Sequence, residues 1–379
     1  MSYLNLPLLV RGRSIQDKYA FPPEIYEARY KAVKKIAEDL NLEGIIVFSG
    51  ALLRGSVGYL TRNRSSTSNT MMIVTKDAGA VMFTPLDERA IKGMKRRLPS
   101  FLNLVSVGFS LMSDDRVGGP TIDYLKNNGL LKGKWGIVNS DSMPQSAYQG
   151  LIAGGLDMVD VTDDFDAMKA IKDSNELYPI SLASLLAQRA VFDFIRLADT
   201  GVSPIELSAQ LERGLRINGV EHPSILISRG PETSFTIVDD TPLEKGEMIS
   251  VFADIQFLHY HGAYAATAVV EGGNMEQSNL IAKAKSLLDK TVGDIATTKN
   301  ASFGHKSIDA FGSYMLVNSI GIELVDAPLW DGRVLDIKPG MALNITVNLC
   351  DPNAGSAVCS RTAVVTESGL AILNDFGPQ

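Results

Sequence analysis

The chain has 379 residues, 45% of them hydrophobic, two cysteines, four histidines and a formal net charge of −7. That is enough apolar material for two packed domains, and the acidic balance excludes a basic nucleic-acid surface. No apolar run reaches the about 20 residues of a membrane span. Two cysteines, Cys350 and Cys359, in so long a chain fit a reducing, cytoplasmic compartment. Met1 to Arg13 lacks the apolar core of a signal peptide. Neither a nucleic acid nor a membrane is therefore an expected partner.

Residues 24–40 place Ile25, Ala28, Ala32, Val33, Ile36 and Leu40 at helical spacing, and Gly44 follows. Short apolar runs at 45–48, 71–74 and 80–83 predict buried strands. Helix and strand patterns alternate to about Val161, which predicts an α/β domain over residues 1–165. Asp163-Asp164-Phe165-Asp166 opens a second domain over 166–379. A long helix is expected from Ile180 to about Leu197. A second runs from Pro204 to Ile217, with Ser203 as its cap. Strands are expected at 225–228, 248–258 and 263–271, and helices at 277–294 and near 305–316. Strands near 341–349 and 359–366 close the pattern.

Several segments, in order, resemble the creatinase/aminopeptidase family, the pita-bread hydrolases. In the first half they are Gly44-Ile45-Ile46-Val47 and Gly58-Tyr59-Leu60-Thr61. In the second half Ala170-Ile171-Lys172-Asp173-Ser174-Asn175-Glu176 is similar to the opening of the family's catalytic domain. Leu243-Glu244-Lys245-Gly246-Glu247 is similar to the lead into its first metal strand. Ile337-Lys338-Pro339-Gly340-Met341 and Val364-Val365-Thr366-Glu367-Ser368-Gly369 are similar to two later turns, and residues 251–267 to the core strand pair. The resemblance implies an α/β N-terminal domain followed by an α+β pita-bread domain with a curved antiparallel sheet. It also implies a homodimer.

Most family members hold two metal ions with two Asp, a His and two Glu. Here the first Asp position is Asp254. The second, eleven residues on, is Ala265, or Ala266 with one insertion. The ligand His aligns with Asn318, with Gly304-His305 as the rival, and the two Glu align with Thr346 and Ser360. Ala, Thr and Ser supply no anionic oxygen, so neither a metal nor another cofactor is expected. The creatinase branch of the family works without metal, through His and a carboxylate.

The candidate catalytic residues are then Asp254, a carboxylate in an apolar strand, with His259 and His261, which alternation places on one strand face. Tyr264, Asn318 and Thr346 are candidate polar partners, with Asn344, Asn348 and Ser360 beside them. Arg62 and Arg64, on a loop that reaches a neighbouring subunit in the family, are candidate carboxylate clamps. Arg229, Asp326 and Arg361 are further substrate-binding candidates. Against each stands a plainer reading: a solvent-facing hairpin tip at Gly262 for the two histidines, solvated charges for the arginines, core packing for Tyr264. The function expected is metal-independent C–N bond cleavage in a small carboxylate-bearing substrate by acid–base catalysis, as hydrolase or lyase. The alternatives are a catalytically inactive binding module, or a metal-dependent peptidase with an unrecognised ligand set.

Overall fold

The computed structural model describes residues 21–50, 55–61, 69–77, 79–84, 91–92, 98–108, 117–230, 234–309, 311–326 and 334–374. They form two compact units, one from Phe21 to Lys169 and one from Ala170 onward.

In the first unit, helix α1 (Pro23–Asp39) starts with Pro23 at its first turn, where the missing N–H costs nothing. A six-stranded sheet follows, in the order β4 (Leu102–Ser106), β3 (Ala80–Thr84), β2 (Thr70–Thr75), β1 (Gly44–Ser49), β5 (Lys134–Val138), β6 (Asp157–Asp160). Strand β1 pairs antiparallel with β2 and parallel with β5. Strands β1, β2 and β3 are buried along their whole length, which is why their sequences are continuous apolar runs and do not alternate.

The second unit contains two larger antiparallel sheets. One has the order β10 (Tyr260–Val269), β9 (Met248–Phe257), β7 (His222–Arg229), β8 (Thr236–Ile237). The other has β12 (Gly304–Ser307), β13 (Tyr314–Ser319), β15 (Ala342–Asp351), β16 (Gly355–Thr366), β17 (Gly369–Ile372). Taking the helices of this unit as α2 (Ser174–Leu197), α3 (Pro204–Ile217) and α4 (Met275–Thr298), α2 and α3 cover one face of the first sheet. Helix α4 covers one face of the second. The sheets are stitched edge to edge by side chains. The Ala265 amide donates to Ser360 Oγ (2.7 Å), Thr267 Oγ1 bridges Val358 N and O (2.7 and 3.0 Å), and Thr362 Oγ1 donates to the Ala263 carbonyl (2.9 Å).

Three local expectations change. Helix α2 begins at Ser174, not Ile180, because Asp173 and Glu176 form a reciprocal capping box. No helix forms near 305–316: residues there are strands β12 and β13, separated by a turn in which the Asp309 carboxylate accepts from the Phe311 and Ser313 amides. Gly304 and Gly312, at φ +95° and +90°, break any helical run. The β9–β10 turn is at Leu258-His259, both with positive φ, and Gly262 lies inside β10.

Candidate functional site

Directly opposite residues on antiparallel strands share a face. Asp254 stands opposite Ala263 and Ser224, and Gln256 opposite His261 and His222. These side chains therefore project from one face of the sheet. Ala253, Ile255, Phe257 and Tyr264 project from the other, into the core under α2 and α3.

On the face away from α2 and α3, His261 Nδ1 lies 2.9 and 3.1 Å from the two carboxylate oxygens of Asp254. The two side chains are 12% and 18% exposed, so the contact is largely shielded while an edge stays open to solvent. An ionised carboxylate can only accept, so Nδ1 carries the proton, and in the neutral ring Nε2 holds the lone pair. The Gln256 amide nitrogen, 3.3 Å from Nε2, donates to that lone pair. Backbone bonding fixes the histidine as well: its amide donates to the Gly321 carbonyl at 2.7 Å. The arrangement is an oriented imidazole whose base nitrogen is covered by the long Gln256 contact, which must open before Nε2 can take a proton.

Among the other candidates, His259 does not share this face. It sits in the turn at φ +71°, with Nδ1 3.3 Å from Glu221 Oε2 and its amide donating to the same oxygen at 2.8 Å. Period-two alternation fails there because the turn rotates the backbone out of the pleat. Tyr264 projects to the helix side. Its ring packs edge-on against Phe192 at 5.5 Å, and burial pushes its hydroxyl pKa up although Arg361 and Gln188 pull the other way. Arg361 faces the same way, with Nη1 3.2 Å from the Ser360 carbonyl and 3.5 Å from the Tyr264 hydroxyl. Neither residue points at the Asp254 face.

Asn318 spends its amide N–H groups on the Ser319 and Leu324 carbonyls at 3.0 and 2.8 Å. Thr346, opposite Ser360 across β15–β16, is buried and accepts from Asn344 at 3.4 Å. Asp326 is not a surface or substrate-facing carboxylate: it forms an ion pair with Lys172 in which both side chains are fully buried. Arg229 clamps Glu247 through two nitrogens and donates to the Thr241 and Pro242 carbonyls, so its fork is occupied. His305, at the sheet edge on β12, stacks at a tilt on Tyr314 with ring centroids 4.9 Å apart. Cys359 is buried, which pushes its thiol up to about 12 and removes it as a nucleophile near neutral pH. Arg62 and Arg64 lie outside the described residues.

Sequence reasoning missed Gln256, although its place two residues after Asp254 puts it on the same face. It also missed Lys172, Glu176 and Gly321 beneath the hairpin. The Lys172–Asp326 pair joins residues 154 positions apart, and no local pattern announces such a contact.

The metal pair implied by the resemblance does not fit these residues. Ala265 has no side-chain donor atom, the Ser360 hydroxyl is tied to the Ala265 amide, and Asn318 and Thr346 offer only neutral oxygens. Among the described residues no cluster of three or more His, Cys, Asp or Glu could hold a metal ion. Divalent sites need several such ligands in one place.

No family model matches the chain. It is 23% identical over 225 residues to an Xaa-Pro dipeptidase of Pyrococcus horikoshii, covering 55% of this chain and 64% of that relative. It is 20% identical over 361 residues to an uncharacterised peptidase of Bacillus subtilis, covering 90% and 96%. In structure it is similar to the prolidase from Pyrococcus horikoshii, with a TM-score of 0.73 and 18% identity over 93% of this chain and 99% of that one. An Xaa-Pro dipeptidase from Bacillus anthracis gives a TM-score of 0.75 at 17% identity, again covering 93% and 99%. In fold, the chain is a pita-bread protein, an α/β domain followed by an α+β domain built on antiparallel sheets.

Proposed function

We propose that the chain is a metal-independent hydrolase that cleaves a C–N bond in a small substrate by proton transfer through His261. The observation that carries this is the His261 Nδ1–Asp254 contact at 2.9 and 3.1 Å, which orients the ring so that Nε2, once its long contact with Gln256 opens, acts as the base. In the reaction Nε2 takes a proton from water as its oxygen bonds to the substrate carbon. Asp254 holds the ring in the Nδ1–H tautomer and stabilises the imidazolium that forms. His261 then returns the proton to the departing nitrogen as the C–N bond breaks. The similarity to Xaa-Pro dipeptidases supports an amide-type C–N bond as the target. A carboxylate on the substrate would not be gripped by Arg229 or Arg361, which are engaged elsewhere.

The tying of Ser360 and Asn318 into the structure favours a second reading, a binding module without turnover. The test is a hydrolysis assay on Xaa-Pro dipeptides and other small amides with the full chain and two variants. Asp254→Asn and His261→Ala are each expected to lower turnover about 100-fold or more, the usual worth of a positioned acid–base group. Unchanged turnover in both variants would move the chemistry elsewhere. Saturable binding with no hydrolysis by the unaltered chain would establish the second reading.

A further inference from the structure

The hairpin segment carrying His261 is held at three consecutive residues. The Tyr260 hydroxyl donates to Glu176 Oε1 at 3.1 Å, beneath the start of α2. The His261 amide donates to the Gly321 carbonyl at 2.7 Å. Gly262 lies so close to α2 that a Cβ there would sit 2.7 Å from Ser184 Cα. The middle contact is the one nearest the imidazole, and Gly321 is itself held from below. Its amide donates to the Glu323 carbonyl at 3.0 Å, and the Asp326 amide donates to Ser319 O at 3.0 Å, closing the loop after β13. The Lys172–Asp326 pair fills the space under that loop with both side chains fully buried. It packs directly on Gly321: a Cβ at that position would lie 2.8 Å from Lys172 Nζ and closer still to the Asp326 carboxylate. Lys172 is fixed in turn, since its own amide donates to the Gly340 carbonyl at 3.0 Å.

We propose that Lys172 and Asp326 are a positioning pair for His261. By fixing the Gly321 carbonyl they set the height of the His261 backbone, and so seat its imidazole on Asp254. The proposal rests on the His261–Asp254 reading given above. A buried ion pair adds little net stability compared with apolar residues of similar size, because desolvation offsets the attraction. Its best-attested use is to fix register, and here it joins the lead-in to α2 with the loop that contacts the hairpin.

The experiment reads the ring nitrogens of the four histidines by NMR in the 15N-labelled full chain, with His261→Ala assigning the His261 signals. Asp254→Asn first reports whether Nδ1–H is bound to the carboxylate. Two variants then test the pair. Gly321→Ala wedges a methyl against it without changing charge, and the double variant Lys172→Met/Asp326→Leu replaces it with apolar side chains. Both are expected to unfold cooperatively in urea and to keep the His222 and His305 ring signals. The His261 Nδ1–H signal should shift or be lost in both. A His261 signal that answers to Asp254→Asn but stays at its unaltered position in both variants overturns the positioning role alone. So does a double variant that does not fold, since the pair would then carry the whole domain. A His261 signal indifferent to Asp254→Asn overturns the dyad reading and this proposal with it.

Discussion

Arg229 illustrates, at the scale of one residue, how charge alone misleads. A guanidinium beside a Gly-Pro dipeptide reads as a carboxylate clamp, and it is one, but the carboxylate is Glu247, just before β9. Burial alone would lift the Glu247 carboxyl. The Arg229 hydrogen bond and charge, with the Glu244 amide, more than offset that and hold it below the ordinary 4.5. Because the folded-state pKa lies below the unfolded one, the pair's contribution is complete above the unfolded value and is lost as pH falls through the folded value. Urea midpoints measured from pH 7 down to pH 3 should therefore fall more steeply for the unaltered chain than for Glu247→Gln, with the two curves converging below about pH 4.5. Parallel curves would mean that the clamp does nothing for stability. The Asp254–His261 contact was legible for the opposite reason. A carboxylate in an apolar strand needs a partner, and the sequence offers His261 seven residues on.

At the scale of an element, the β9–β10 hairpin shows where pattern reading ends. Glycine is the default turn residue, so Gly262 reads as the tip. The chain instead turns at Leu258 and His259 with φ of +50° and +71°, conformations that cost roughly 1–3 kcal/mol each for residues with a side chain. Burial of Leu258 in the core and the Glu221 contacts of His259 hold that turn in place. Gly262 is needed for a different purpose, the close approach of α2. Gly262→Ala would drive a methyl into Ser184 and the Ala183 carbonyl carbon, so it should destabilise the protein by about 1–3 kcal/mol in urea titrations. A loss under about 0.5 kcal/mol, within the range of ordinary surface changes, would show that α2 yields. Long periodic elements such as α1 and α4 were legible because one apolar face repeats through them. The 305–316 segment was not. Its apolar residues are too few to separate period 3.6 from period 2, and the Asp309 turn that splits it acts through hydrogen bonds.

For the whole molecule, the order of the motifs made the pita-bread fold legible, and some of them mark a turn or close approach that the backbone requires. Gly340, for example, takes φ +93° where the chain passes Lys172. The site was only partly legible for the same reason: the frame is specified by backbone needs, while the chemistry depends on which side chains meet across it. At the positions that the resemblance aligns with the family's metal ligands after Asp254, this chain has Ala265, Asn318, Thr346 and Ser360, and Ser360 bonds one sheet to the other. A ligand that binds only the folded state stabilises it by about 2.7 kcal/mol at a concentration 100 times its Kd, which raises the melting temperature by several degrees. Melting curves of the purified chain in Mn, Zn or Co at millimolar concentration, and after chelation, should therefore coincide. A rise of several degrees with one of these ions, reversed by chelator, would show that the frame still gathers a metal through other donors. The seam gives the comparison a second arm. Ser360→Ala removes the acceptor of the Ala265 amide, leaves that buried donor unpaired, and should cost about 1–3 kcal/mol with or without metal present.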